Sequence, residues 1–280
     1  MKKHFITQKL IARYEQSMRN DEKSQNTVAK YLHDLRRFSA FAQGRPVDKN
    51  LTLEYKAEIG TSHTPSGANS MIAALNSFFR FAGWDECVIK QLKVQKKAYC
   101  SENSELSRND YFALVRTAER RKNLRLALLL QTLCSTGIRV SEVPFITVEA
   151  IRSGEARVFC KGKIRRIFII SALRKKLLEF IKSNNISQGP IFITRTGKPM
   201  NRSNIWREMK ALCAAAGVSA EKVFPHNFRH LFARTFYEME KDIAKLADIL
   251  GHSSINTTRI YIVTTGVEHR RRMERMHLIV

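Results

Sequence analysis

The sequence predicts a mainly α protein in two domains: a four-helix N-terminal bundle, and a C-terminal domain of mixed α/β character with one small antiparallel sheet. Three observations predict it. Apolar side chains recur every third or fourth residue from residue 7 to residue 82, the spacing of a helix face. A tract rich in Lys follows, poor in large apolar residues after Val94, and reads as a linker. Strand-like patterning is confined to residues 146–171, with a shorter instance at 191–199, and helical spacing returns at 201–216 and 225–262.

Residues 7–20 read as a first helix with Leu10, Ile11, Tyr14 and Met18 on one side. Ser24 opens a second, in which Val28, Tyr31, Leu32, Leu35, Phe38 and Phe41 recur until Gly44-Arg45-Pro46 stops it. Leu51 to Ile59 is a shorter helical piece. Thr64-Pro65-Ser66 starts the fourth, whose Met71, Ile72, Leu75, Phe78, Phe79 and Phe81 form a broad apolar face ending at Gly83-Trp84. Lys30, Arg36, Arg37 and Arg80 fall on the polar faces. The first domain is therefore assigned to residues 1–92, the linker to 93–104, and the second domain to 105–280 with a tail from about residue 266.

In the second domain, Ser107 with Asp110 three residues on marks a helix start. The helix expected from Lys122 to Cys134 is nearly all apolar and should be the domain's buried axis. Gly137 breaks it, and Arg139 follows. Thr147-Val148, Arg157 to Cys160 and Arg166 to Ile170 read as strands, with Lys161 at the tip of the hairpin; Ile191 to Ile193 with Thr196-Gly197-Lys198-Pro199 reads as a smaller hairpin. Asn201 to Ala216 is helical and closes at Gly217.

A helix from Pro225 carries Phe228, Leu231, Phe232, Phe236 and Met239 on one stripe and His226, Arg229 and Ala233 on another; His226 and Arg229 should face outward, with only the small Ala233 behind them. Pro225 suits a first helical turn, whose free N–H groups attract anions. The next helix has Ile243, Leu246, Ala247 and Leu250 as its apolar stripe, and Gly251 sits where a left-handed C-cap is wanted, which fixes His252 just past the helix end. Ser253 or Ser254 caps a short helix from Ile255 to about Ile262 that carries Tyr261. Beyond it, Gly266 loosens the chain before a basic stretch from Val267 to Met276 and the apolar Leu278-Ile279-Val280.

The charge balance, 49 Lys and Arg against 25 Asp and Glu for a net +24, points to a polyanionic partner, of which nucleic acid is the usual one. Residues 1–104 carry 17 basic and 10 acidic side chains, and the remainder 32 and 15, so the second domain should grip phosphate harder. Five scattered cysteines without a C-x-x-C pair imply reduced thiols in a cytoplasmic protein. No signal peptide, membrane span or phosphate-binding Gly-Lys loop is evident. His226 and His230 have the i, i+4 spacing of a zinc pair, but residue 227 is Asn rather than Glu, and Arg229 between them repels a cation. No metal or other cofactor is expected.

Taken together, Arg139 in Thr136-Gly137-Ile138-Arg139-Val140-Ser141-Glu142, Lys161 in Cys160-Lys161-Gly162-Lys163, His226-x-x-Arg229, Leu250-Gly251-His252 and Tyr261 form an ordered series. The series resembles the tyrosine recombinase (phage integrase) family over nearly the whole chain. The resemblance implies a SAM-like core-binding first domain and a catalytic second one. It also implies a site of Arg139, Lys161, His226, Arg229, His252 and Tyr261, acting on double-stranded DNA through a 3′-phosphotyrosine without metal or ATP. Four protomers on two DNA sites, joined through C-terminal tails in trans and associated with the nucleoid, are implied too.

Each role has physical sense. A pentacoordinate phosphate needs cations, and bidentate Arg139 and Arg229 supply them; a structural ion pair of Arg139 with Glu142 is the plain alternative. Tyr261, with an ordinary pKa near ~10, needs roughly 4 kcal/mol of help to act as phenolate at neutral pH; otherwise it is a packing residue. His226 is suited to take the Tyr proton, His252 to hydrogen-bond a phosphate oxygen, and Lys161 to protonate the departing 5′-oxygen, with Lys163 as competitor.

Pro144, where the family usually has Leu, and Ile262-Val263, where Thr-His is common, depart from the pattern without touching the reacting groups. The missing arm-binding domain makes the chain look minimal and Xer-like. Type IB topoisomerase-like relaxation and a catalytically inactive DNA-binding protein are the alternative functions; the latter predicts that at least one of the six positions is replaced, and none is.

Overall fold

The computed structural model describes residues 3–94, 105–160, 163–252, 254–261 and 273–276. The chain divides into two compact units, Met1–Lys96 and Lys97–Val280. The tract 95–104, Lys161 and most of the tail beyond Tyr261 lie outside the described residues.

In the first unit the capping signals set the helix starts. Thr7, Ser24, Asp48 and Thr64 each accept a backbone N–H with the side chain, opening α1 (Gln8–Asn20), α2 (Gln25–Ala42), α3 (Lys49–Ser62) and α4 (Pro65–Ala82). Their apolar stripes meet in one aromatic-rich core, with Leu35, Phe38, Ile72, Leu75, Phe78 and Phe79 completely buried. Two asparagines on α4 then pin the chain that leaves the bundle. Asn76 pairs with both backbone groups of Ile89, and Asn69 does the same for Leu92, so the order of the bundle extends through residue 92.

The second unit begins with α5 (Arg108–Arg120), whose Ser107 and Asp110 form a reciprocal capping box. Behind it α6 (Leu124–Thr136) buries Leu126 to Leu130 and Leu133 and is the axis of the core. Expectation and structure differ at Thr147-Val148. Thr147 makes a single bridge to Pro190, and its hydroxyl then caps α7 (Val148–Ser153), so the extended stretch lasts one residue. The hairpin of β1 (Glu155–Cys160) and β2 (Lys163–Phe168) is antiparallel, with Val158 opposite Arg165 and Ala156 opposite Ile167.

α8 (Ser171–Ser183) has no counterpart among the elements expected from sequence; it follows the Ile167–Ile170 run directly, with no side-chain cap to announce it. The smaller hairpin narrows to one bridge, Ile193 to Pro199. α9 (Arg202–Ala216) closes at Gly217, and α10 (Pro225–Glu240), α11 (Ile243–Leu250) and α12 (Ile255–Arg259) complete the unit. Among the described residues no helix is long and apolar enough to cross a membrane.

Two left-handed glycines shape the end of this unit. Gly137, at φ +61°, ends α6 beneath α10, and a Cβ there would lie 2.5 Å from Cδ1 of Phe232. Gly251, at φ +64°, ends α11 in the same way. Gly137→Ala should therefore cost about 2 kcal/mol through backbone strain plus the Phe232 clash. A lowered urea midpoint for the second unit is the expected result, and an unchanged one would show that the α6 and α10 packing yields at no cost.

Candidate active site

The site is built where the C-termini of α6 and α11 come together under α10. Arg229 arises one turn into α10 and is only 2% exposed, the largest fully buried side chain among the described residues. The expectation that His226 and Arg229 face outward holds for His226, which is exposed, and is corrected for Arg229. Ala233 is fully buried because α11 and Tyr261 pack over that stripe, forming a small cluster with Leu246 and Leu250. Met239, expected on the apolar stripe, is 77% exposed because it lies past the end of this packing.

A buried guanidinium needs acceptors. Arg229 donates from Nη1 to the carbonyl of Gly137 at 2.5 Å and from Nη2 to the carbonyl of Leu250 at 2.7 Å. These are last-turn carbonyls of α6 and α11, groups a helix leaves free at its negative end. Burial lowers the Arg229 pKa to about 10, helped by the neighbouring Arg139 and Arg165, so the group stays charged at neutral pH. Its Nε is buried without a partner among the described residues.

Arg229 also organises His252. Nη2 approaches Nε2 of His252 at 2.9 Å, and His252 Nδ1 lies 2.8 Å from the hydroxyl of Thr258, which is fully buried. Because the guanidinium can only donate, Nε2 accepts and the imidazole proton sits on Nδ1, given to Thr258. Burial, then Arg229 and Arg139, push the His252 pKa down to about 4, so this ring is neutral through the physiological range.

Arg139 leaves the turn after Gly137 with its side chain partly exposed. Nη1 pairs with Glu142 Oε1 at 2.9 Å, and the Glu142 carboxylate accepts the Arg139 backbone N–H as well. The ion pair considered from sequence is thus present, and Glu142, itself buried, holds Arg139 at the site edge. Its other oxygen takes Arg165 Nη1 at 2.6 Å, a contact not foreseen from sequence. The available signal was the strand pattern. Arg165 falls on the same face of β2 as buried Ile167, and a charge on the apolar face of a strand asks for a partner.

Tyr261 closes the site. Its ring, 7% exposed, has three histidines around it: His230 at 4.4 Å between centroids, His226 and His252 each at 5.2 Å. The guanidinium carbon of Arg229 lies 5.7 Å from the ring centre. His230 packs between His226 and Tyr261; burial, then His226, Arg234 and Arg229, lower its pKa to about 4. His226, at the exposed rim, has its pKa lowered by desolvation and then by Arg229, Arg139 and Arg202. Five of the six residues singled out from sequence are described and cluster here; Lys161 lies outside the described residues.

This geometry, one buried guanidinium and three neutral imidazoles around one phenol with a second guanidinium at the site edge, sits in a chain whose relatives are known. Residues 104–266 match the phage integrase family, and residues 11–86 match the family's N-terminal SAM-like domain. The tyrosine recombinase XerC of Pelobacter propionicus is 30% identical, over 90% of this chain and 88% of its own. A lambda integrase fragment solved as a dimer bound to a core site shares the fold at a TM-score of 0.76, with 18% identity over 93% of this chain and 96% of that one. Lambda integrase solved as a tetramer on a Holliday junction matches at a TM-score of 0.73, with 18% identity over 90% of this chain and 76% of that one. With the ordered series of site residues occupied from Arg139 to Tyr261, the chain belongs to the phage integrase family of tyrosine recombinases.

Proposed function

We propose that the protein exchanges DNA strands at specific sites, with Tyr261 as nucleophile and Arg139 and Arg229 as the phosphate clamp. The observation that carries this is the buried Arg229, fixed by two helix-end carbonyls and His252 while its guanidinium lies beside the Tyr261 ring. In the proposed reaction the Tyr261 oxygen bonds to phosphorus as the bond to the 5′-oxygen breaks. The phenol proton passes to His226, which is neutral at physiological pH and so able to accept it. Lys161 gives a proton to the departing 5′-oxygen. The 3′-phosphotyrosine keeps the bond energy, and attack by a second 5′-hydroxyl reverses each step on a new partner.

We assign His252 the task of orienting the clamp, in place of the phosphate hydrogen bond expected from sequence. Its Nε2 accepts from Arg229, so it orients the clamp, and Thr258 fixes it from the other side. The net charge of +24 supplies the long-range attraction to duplex DNA. Assembly rests on the segment after Gly266. Met273 and Met276 are 66% and 59% exposed, and the chain ends in Leu278-Ile279-Val280. We assign this segment to a neighbouring protomer in a closed ring of four on two duplexes, since head-to-tail contacts of this kind close into rings.

The proposed chemistry is tested by trapping the covalent adduct on a nicked duplex. Tyr261→Phe should bind DNA and form none, and Arg229→Lys, which cannot reach both carbonyls and a phosphate, should slow adduct formation by at least about 100-fold. An adduct with the Phe variant would mean that another residue is the nucleophile. Wild-type adducts without two-site products would instead favour a relaxation enzyme.

Lys161→Ala should regain cleavage when the bridging 5′-oxygen is replaced by sulfur, because a thiolate leaves without a proton. Rescue of Lys163→Ala in place of Lys161→Ala would move the acid to Lys163. Removing residues 266–280 should leave one-site binding largely intact and abolish strand exchange between two sites. A truncated protein that recombines at the normal rate would rule out assembly through the tail.

A further inference from the structure

Arg165 has no role in the chemistry just described, yet it is among the most constrained side chains of the second unit. Its side chain is 10% exposed and spans three features of the site. Nη1 takes Glu142 Oε2 at 2.6 Å, Nε donates to the carbonyl of Ile249 at 3.0 Å, and the aliphatic stem lies flat against Gly251. A Cβ at Gly251 would fall 2.5 Å from Cδ of Arg165, so this glycine is needed for the approach as well as for its φ of +64°. Nη2 is buried without a partner among the described residues.

The consequence lies in what Glu142 would do otherwise. This carboxylate is buried, and its two oxygens are divided: Oε1 holds Arg139 Nη1, while Oε2 holds Arg165 together with the Arg139 backbone N–H. With Arg165 removed, Oε2 is free to take a second guanidinium hydrogen of Arg139 and close the two-pronged pair that carboxylate and guanidinium favour. Arg139 would then be neutralised by its own neighbour and turned from a phosphate. The cluster now holds Arg139, Arg165 and Arg229 against the one carboxylate of Glu142, and losing Arg165 halves that surplus of positive charge. The loss falls on the group that must bear the extra negative charge of a pentacoordinate phosphate.

We infer that Arg165 is a positioning residue for strand cleavage: it occupies Glu142 and braces the Gly251 turn, so that Arg139 and Arg229 stay free for the phosphate. This rests on the function proposed above. It ties the β1–β2 hairpin to the end of α11 and to Glu142 in the turn that follows α6. The site therefore has three arginines, of which Arg139 and Arg165 share the Glu142 carboxylate and Arg229 is held by helix-end carbonyls.

The test uses the full chain and a nicked duplex enriched from a randomised pool by binding to the wild-type protein. Two forms are compared, one with the ordinary phosphate at the cleaved position and one with a methylphosphonate, which carries no charge. Arg165→Gln should bind the phosphate duplex as wild type does and melt at nearly the same temperature. Its covalent adduct should form roughly 10- to 100-fold more slowly on the phosphate, with most of the deficit gone on the methylphosphonate, where Glu142 no longer opposes a charge. Arg165→Lys, which keeps the pair with Glu142, should fall between the two on the phosphate duplex and near wild type on the methylphosphonate; it carries the test if the Gln variant does not fold. Equal slowing on both duplexes, or none on either, would overturn the inference while leaving the wild-type adduct in place. A wild-type protein that forms no adduct would overturn the proposed function and this inference with it.

Discussion

A cation can be buried only where the fold supplies its counter-charges in advance, and here helix ends supply most of them. Three arginines converge on the C-termini of α6 and α11: Arg229 on Gly137 and Leu250, Arg165 on Ile249, and Arg139, at a longer 3.4 Å, on Gly251. All four acceptors are backbone carbonyls at or near a helix end, where the dipole is negative and the hydrogen-bonding capacity is unspent. Both ends are turned aside by left-handed glycines, which is what lets side chains reach the carbonyls. Carbonyls hold a guanidinium without cancelling its charge. A carboxylate in their place would stabilise the fold more and leave less for a phosphate.

The first unit was the more legible from sequence because its signals are local. Each of its four helices begins at a Ser, Thr or Asp cap and buries one stripe, so spacing and capping suffice. In the second unit the motif residues were legible as a series, but their environment was not. On α10 the spacing rightly separated Arg229 from the Phe228 and Leu231 stripe. It could not reveal that a second layer, α11 and Tyr261, covers the face that looked polar, since that covering depends on contacts to residues many turns away. Thr147 illustrates the opposite problem: a β-branched pair suggests a strand, but the hydroxyl caps a helix, and the tertiary bridge to Pro190 ends after one residue. α8 escapes because its apolar spacing continues from a strand without a capping residue between them.

Crowding like charges has a thermodynamic cost that the surroundings must absorb. The Arg229 pKa is depressed to about 10 first by burial and then by Arg139 and Arg165, which means that the folded state holds this proton less tightly than the unfolded chain. The dense core around α6, with Leu129, Leu130 and Leu133 completely buried, is what makes so unfavourable an arrangement tolerable. Strain of this sort is expected where a protein is shaped for a ligand rather than for its own stability.

Burial and the same cations together decide the state of the histidines. A desolvated imidazole beside guanidiniums cannot keep a second proton, and His252 and His230 are both driven to about 4. Neutrality in turn gives each ring a lone pair, and on His252 the Arg229 contact selects which nitrogen holds it. The outcome is a directed chain from Arg229 to His252 to Thr258 in which each donor meets an acceptor and the buried Thr258 anchors the far end. A protonated His252 would have no lone pair for Arg229 and would repel it, so the clamp and the tautomer require each other. The arrangement that concentrates positive charge at the proposed phosphate clamp is thereby also the one that leaves the rings beside Tyr261 unprotonated.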